Sequence, residues 1–217
     1  NPFDKPADVK KMKELSKKGL RVLLADSTNA EHPGKQTSEG DVLEELDAFV
    51  KGAPGRVFIG TFASMISRIQ MVLTLAEKYG KKVVIEGRSM HTNVEVAQKL
   101  GYLKFKPKTI VEPDDAKKLK PHQVIVVGTG AQGQKNAFLS RLATDEHRHF
   151  HLQKGDSVIF SSSVIPGNER TIQALKDTLW RKGARVFHYK NLDVHAGGHC
   201  KQEDLKEFYD LMKPEYY

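Results

Sequence analysis

A single cysteine, Cys200, is all that the 217 residues contain. That excludes an internal disulfide framework and a cysteine-rich zinc module, and it fits a reducing compartment, with the cytoplasm as the expected location. Long apolar runs are missing too: no segment approaches the roughly 18 to 20 consecutive apolar residues that a membrane span needs. The opening NPFDKPADVKK has no apolar stretch behind its charges, so a secretory leader is not expected. Internal repeats and low-complexity tracts are absent. What the chain has is a 39% share of hydrophobic residues, enough to bury one α/β core, or one core with a small appended lobe.

Positive charge is in excess, with 35 lysines and arginines against 27 acidic residues and a formal net charge of +8. Such a balance points to an anionic partner, nucleic acid or a phosphorylated metabolite. Many of the lysines fall in pairs, Lys10 with Lys11, Lys17 with Lys18, Lys81 with Lys82 and Lys117 with Lys118. These adjoin helical patterns or turns, where a solvated face is the ordinary reading. Composition alone leans toward RNA or DNA without deciding it.

Six short apolar runs, at 20–25, 56–60, 82–86, 123–127, 157–160 and 184–189, are rich in valine and isoleucine. Continuous runs of this kind suit strands buried on both faces of a parallel sheet, and the helical segments between most of them predict α/β organisation. Helix signals punctuate the rest. Ser38, Gly40 and Asp41 open a helix through Val50; Ser64 precedes a periodic stretch through Tyr79, stopped by Gly80; Asn93 precedes 94–100, stopped by Gly101. The triplet 167–169 opens a helix through Lys182 with Gly183 as its stop, and 202–212 forms a last helix ended by Pro214. Serine, aspartate or asparagine at the start and glycine or proline at the end are the expected capping chemistry. Residues 212–217 read as a helix end followed by the first residues of a strand, as in a chain that continues.

Three loops and one strand end carry candidate chemistry. Gly128, Gly130 and Gly133 form a G-x-G-x-x-G directly after the run at 123–127. In a dinucleotide fold such glycines let a pyrophosphate approach a helix N-terminus. Here the motif lies past the middle of the chain, and no acidic residue closes a further strand about 20 residues on. A phosphate cradle for another ligand and a tight turn with no ligand therefore stand beside the dinucleotide reading. The next strand runs into Ser161, Ser162 and Ser163, ahead of the helix opened at 167–169; hydroxyls and free amides at a helix start make an anion site. Two such loops on one carboxyl edge suit a ligand with several phosphates, such as a polynucleotide. The loop of His195, Ala196, Gly197, Gly198 and His199 pairs two imidazoles with glycines just before the last helix, an arrangement suited to acid, base or phosphate-donor work. Asp26 ends the run at 20–25, a position used for metal ligands and also a favoured turn site.

Taken together, ADSTNAEHPGKQTSE, FASMISRIQMVLTLAEKYGKKVVIEGRSM, TGAQGQKNAFLSRLA, GDSVIFSSSVIPGNE and HAGGHCKQEDLKEFYDLMKPEYY resemble, in order and spacing, blocks of the ribonuclease J family of metallo-β-lactamase/β-CASP nucleases. The resemblance runs over essentially the whole chain. It implies a three-layer α/β/α β-CASP domain with a mostly parallel sheet at 40–186, between the end of one metallo-β-lactamase segment at 1–39 and the start of another at 187–217, each part of an αββα fold. It implies zinc-dependent hydrolysis of single-stranded RNA in RNA processing and decay, ribosomal RNA included. Cleavage would be both 5′-to-3′ exonucleolytic, with 5′-monophosphorylated RNA preferred, and endonucleolytic, in a homo-oligomer.

By the same resemblance Asp26 bridges two zinc ions, Glu39 is the carboxylate of the first β-CASP motif, and His199 stands near the scissile phosphate. His195, Ala196, Gly197, Gly198 and His199 hold the RNA backbone, and Ser64, Ser161, Ser162, Ser163, Gly128, Gly130 and Gly133 lie near RNA phosphates. The family's HxHxDH metal motif would precede the chain and its HGE histidine would follow Tyr217. These 217 residues are therefore expected to bind RNA weakly and to hydrolyse little. Ser67 and Gly197 stand where the family pattern has a histidine and a serine, and Cys200 where it has a small residue. Two rivals from other classes remain, an NAD(P)-dependent oxidoreductase using the loop at 128–133 and a catalytically silent RNA-binding module, and beside them a closer one, a DNA-directed β-CASP nuclease.

Overall fold

Val57–Gly60 (β1), Lys82–Glu86 (β2), Val124–Gly128 (β3), Ser157–Phe160 (β4) and Arg185–His188 (β5) form one sheet in the order β2-β3-β1-β4-β5. Every pairing in it is parallel. This computed structural model describes residues 5–189 and 191–217. The first four residues of the opening NPFDKPADVKK, and Lys190, lie outside the described residues. Among the described residues, eight α-helices accompany the strands: Val9–Lys17 (α1), Glu39–Gly52 (α2), Ile66–Lys78 (α3), Arg88–Lys99 (α4), Pro113–Ala116 (α5), Phe138–Ala143 (α6), Glu169–Arg181 (α7) and Gln202–Met212 (α8).

The valine- and isoleucine-rich runs become strands because both of their faces find cover. Phe58, Val84, Val126, Val158 and Phe160 point to one side, where Phe138, Leu139 and Leu142 of α6 and Ile172, Leu175 and Leu179 of α7 close over them. The alternate residues Val57, Ile59, Val83, Ile85, Ile125, Val127 and Ile159 are equally buried and face the opposite way by the period of two. Buried Val42, Leu46 and Val50 of α2, Ile69, Val72 and Leu73 of α3, and Met90 and Val94 of α4 supply the third layer. Each such side chain taken from water contributes on the order of 1.5 to 3 kcal/mol. At the amino edge, Arg56 reaches Asp156 through Nε (3.1 Å) and a terminal nitrogen (2.5 Å), with both side chains nearly buried.

By contacts, the chain divides into two units: Asp41–His195, and a unit made from both chain ends, through Gly40 and from Ala196 to Tyr217. In the second, α1 packs against α8. The run at 20–25 belongs here and joins no sheet. Val22 makes an isolated parallel bridge to Tyr216, and Leu24 is 91% exposed. It has the composition of a buried strand, but a single short neighbour leaves its faces uncovered. The strand start expected near Tyr216 is that neighbour.

A second departure concerns α4. It begins at Arg88, after Gly87 turns the backbone with φ 101°, rather than after Asn93. Asn93 sits inside the helix because its amide donates to the carbonyl of Ala63 at 2.8 Å.

Candidate phosphate crevice and histidine–aspartate pair

The chain leaves β1 toward β2 on one side of the sheet and β4 toward β5 on the other. Where neighbouring strands send their connections in opposite directions, a crevice opens beyond their carboxyl ends. The loops flanking it run from Thr61 to α3 and from Ser161 to α7. The ladder continues into both: Thr61 N–H donates to Gly128 O at 3.0 Å and Ser161 N–H to Gly60 O at 2.8 Å. Neither Met65 nor Asn168, the cap residues of α3 and α7, caps its helix with a side chain; the Ile66 amide donates back to Ser64 O at 2.9 Å, and the amides that follow in both first turns face the crevice side without a side-chain cap. One amide beside them, Gly167 N–H, is taken by the Glu169 carboxylate at 2.8 Å. Ser64 and Ser163 are exposed, and their hydroxyls bond to none of the described residues.

The other two serines differ from expectation. Ser161 is fully buried; its hydroxyl donates to Val194 O at 2.6 Å and accepts from the guanidinium of Arg68. Ser162 is also buried, and its hydroxyl accepts from Gln132 Nε2 at 3.1 Å. Gln132 goes on to donate to Ser163 O (2.6 Å) and to accept from Ile165 N–H (3.0 Å). Buried polar groups with satisfied partners fix a loop in one shape. Ser161 and Ser162 therefore hold the loop, and Ser163 is the hydroxyl it presents.

The glycine loop is likewise committed to packing. A Cβ at Gly128 would stand 2.4 Å from Phe138 Cδ1, and one at Gly133 would stand 2.7 Å from Thr171 Cγ2. Gly130, at φ 109°, approaches Ala137 and Leu139 within 3.0 Å of such a Cβ. The helix after the loop begins only at Phe138 and is 6 residues long. A dinucleotide pyrophosphate needs a helix start immediately behind the glycines. Close approach of α6 and α7 explains all three glycines, and the oxidoreductase reading loses its support.

In the unit built from the chain ends, Asp26 Oδ1 accepts from the amide (2.8 Å) and hydroxyl (2.6 Å) of Thr28, and Oδ2 meets Nδ1 of His199. The Thr28 hydroxyl, then His199, hold the Asp26 carboxyl down to about 2. Both side chains are about half exposed, at 47% and 54%. With Nδ1 turned to the carboxylate, His199 Nε2 is the nitrogen left for a substrate. Gly197 lies against Gln36, where a Cβ would stand 3.2 Å from Nε2. The start of α8 is no anion site, because the Gln202 and Glu203 amides donate to the carbonyls of His32 (3.0 Å) and Gly34 (3.1 Å). Ala196 is half-buried, Gly198 exposed, and Glu39 is the half-buried first residue of α2. His195 ends the other unit.

A two-zinc centre does not fit these residues by themselves. Asp26 and His199 bring one carboxylate and one imidazole together, and the carboxylate already serves Thr28 and His199. Among the described residues, no group of three histidine, cysteine, aspartate or glutamate side chains could hold a metal ion. Among them, too, no helix is long and apolar enough to cross a membrane.

A parallel α/β/α sheet with a phosphate-type crevice at its switch point defines a class broader than any one activity. Comparison with known proteins narrows it. The family model described as "Ribonuclease J, beta-CASP domain" matches residues 54–179. Ribonuclease J of Thermus thermophilus is 44% identical over 217 residues, 100% of this chain and 38% of that protein. Ribonuclease J 1 of Streptococcus pyogenes is 39% identical over 216 residues, 100% of this chain and 39% of that protein. Ribonuclease J of Mycolicibacterium smegmatis is 39% identical over 214 residues, 98% of this chain and 38% of that protein. The chain belongs to the ribonuclease J family and carries its β-CASP domain. It spans 38–39% of the length of these relatives.

Proposed function

We propose that this chain grips single-stranded RNA for a ribonuclease that hydrolyses the phosphodiester backbone in RNA processing and decay, ribosomal RNA included. The crevice between β1 and β4 carries the proposal: the hydroxyls of Ser64 and Ser163, which have no partner among the described residues, and two helix starts without side-chain caps suit the phosphates of an extended strand. The excess of 8 positive charges suits the same ligand. Cleavage would proceed both from a 5′-monophosphorylated end and internally, in a homo-oligomer working in the cytoplasm. His199 would present Nε2 to the reacting phosphate, as acid or as hydrogen-bond donor, while Asp26 orients the ring. Glu39 would serve as a second carboxylate. Zinc dependence is part of the proposal, with Asp26 as the ligand this chain offers. Since two donors do not make such a centre, the 217 residues alone bind RNA and turn over little.

The test is fluorescence-anisotropy titration with 5′-monophosphorylated RNA, 5′-hydroxyl RNA, matched DNA and NAD at several salt concentrations. RNA affinity that falls as salt rises supports the proposal, since phosphate contacts release counterions. Binding of NAD but not RNA overturns it. Zinc-dependent cleavage by a highly purified sample of these 217 residues would overturn the last clause alone.

A further inference from the structure

Arg68 has no role in the function proposed above. It lies on α3, in the periodic stretch that packs on the sheet, and is 0% exposed. A guanidinium stays charged wherever it is placed, and burying it is costly unless its fork is well supplied with acceptors. Two of those acceptors come from segments far apart in sequence. Nη1 donates to Ser161 Oγ and to the carbonyl of Val194 at 2.5 Å, and Ser161 Oγ itself donates to the same carbonyl at 2.6 Å. The three groups close a triangle under the crevice. One corner is the first residue of the serine loop; another is the residue directly before His195. Gln132 holds the far side of the same loop through Ser162, Ser163 and Ile165.

Resting on the RNA-gripping function, we infer that Arg68 is a positioning residue for phosphate binding: its buried guanidinium ties the serine loop to the segment entering His195 and so sets where the Ser163 hydroxyl stands. It touches no phosphate itself. Its fixed charge also favours an anion nearby, because little water screens it there. A neutral side chain at this position leaves two buried acceptors poorly served and the loop free to shift.

The experiment measures the affinity of the 217-residue chain for a 5′-monophosphorylated RNA over a range of salt concentrations, with thermal melts alongside. The proteins are wild type, Arg68→Gln, Ser161→Ala and the double variant. Arg68→Gln is expected to weaken binding roughly tenfold, as loss of charge-assisted hydrogen bonds does. Ser161→Ala should weaken it less, and the double variant no more than Arg68→Gln, since both cut one network. The slope of affinity against salt should stay that of wild type, because no phosphate contact is lost; a direct contact would reduce it by about 1.

Folded Arg68→Gln with wild-type affinity, a salt slope lowered by that amount, or losses that simply add would each overturn the inference. If Arg68→Gln does not fold, Ser161→Ala decides: unchanged affinity overturns the inference and weakened affinity at unchanged slope supports it. Wild-type chain that binds no RNA would overturn the function itself, an outcome distinct from all of these.

Discussion

The imidazole of His199 rests on the carboxylate of Asp26, 173 positions earlier in the chain. The contact gives the ring one orientation. In a complete enzyme, His199→Ala is expected to lower single-turnover RNA cleavage by on the order of 100-fold or more while leaving RNA affinity within a few-fold. Because the side chain is half exposed, the fold should persist. A cleavage rate within threefold of wild type would remove His199 from the chemistry.

Ser163 and Ser161 are neighbours with opposite roles. Ser163→Ala should weaken RNA binding about two- to tenfold, the effect of one hydrogen bond, with no change in thermal midpoint, since its hydroxyl bonds none of the described residues. Titrations and melts on the same samples check this. A drop in midpoint without a change in affinity would contradict it.

At the opposite edge of the sheet, Arg56 and Asp156 form a nearly buried pair, and Asp156 Oδ2 also accepts from Gln153 N–H at 2.8 Å. Asp156→Ala would take the carboxylate from the nearly buried Arg56 guanidinium and leave it the His151 carbonyl at 2.7 Å as acceptor. The expected cost is about 3 to 5 kcal/mol, read from urea unfolding, with RNA affinity of the folded fraction unaffected. A loss below about 1 kcal/mol would place the pair among surface ion pairs.

Acid sensitivity should trace in part to Asp47. Lys78 Nζ donates to both of its oxygens, at 2.8 and 2.9 Å, and the Tyr79 hydroxyl donates at 3.0 Å. The hydrogen bond from Lys78, ahead of the opposing effect of burial, holds the carboxyl below its ordinary 3.8. A carboxyl lowered by folding stabilises the protein above 3.8 and ceases to do so as pH falls through its depressed value. Asp47→Asn should thus be less stable than wild type near neutral pH, with the gap closing below 3.8. Unfolding curves with a pH-independent gap would assign the loss to packing.

The sheet was legible in the sequence because a parallel strand covered on both faces must be apolar throughout, and five of the six runs became its strands. The sixth, at 20–25, has the same residues without the neighbours, which local composition does not encode. Gly87 is a readable sign for the start of α4, but Asn93 has the chemistry of a cap and competes with it; the partner of Asn93, Ala63 O, is a tertiary one. Three consecutive serines announce a polar loop, but which one faces outward is decided by Arg68 from α3 and Gln132 from the loop after β3. Arg68 left one trace, a charge inside the apolar stripe of α3 between Ile66 and Ile69. The glycines of the 128–133 loop read equally as a cradle or as contact points, and only the rings and methyls beside them separate the two.

Gln36 and Gly197 touch, although 160 intervening positions hold the whole Asp41–His195 unit. The chain thus departs from the smaller unit and returns to it almost at one point. In the terms of protein engineering the larger unit is an insertion whose two ends can be cut together. Joining the chain near Thr37 to Gly197 with a linker of about 2 to 6 residues would excise it and leave Asp26, His199 and the α1–α8 packing on one continuous miniature.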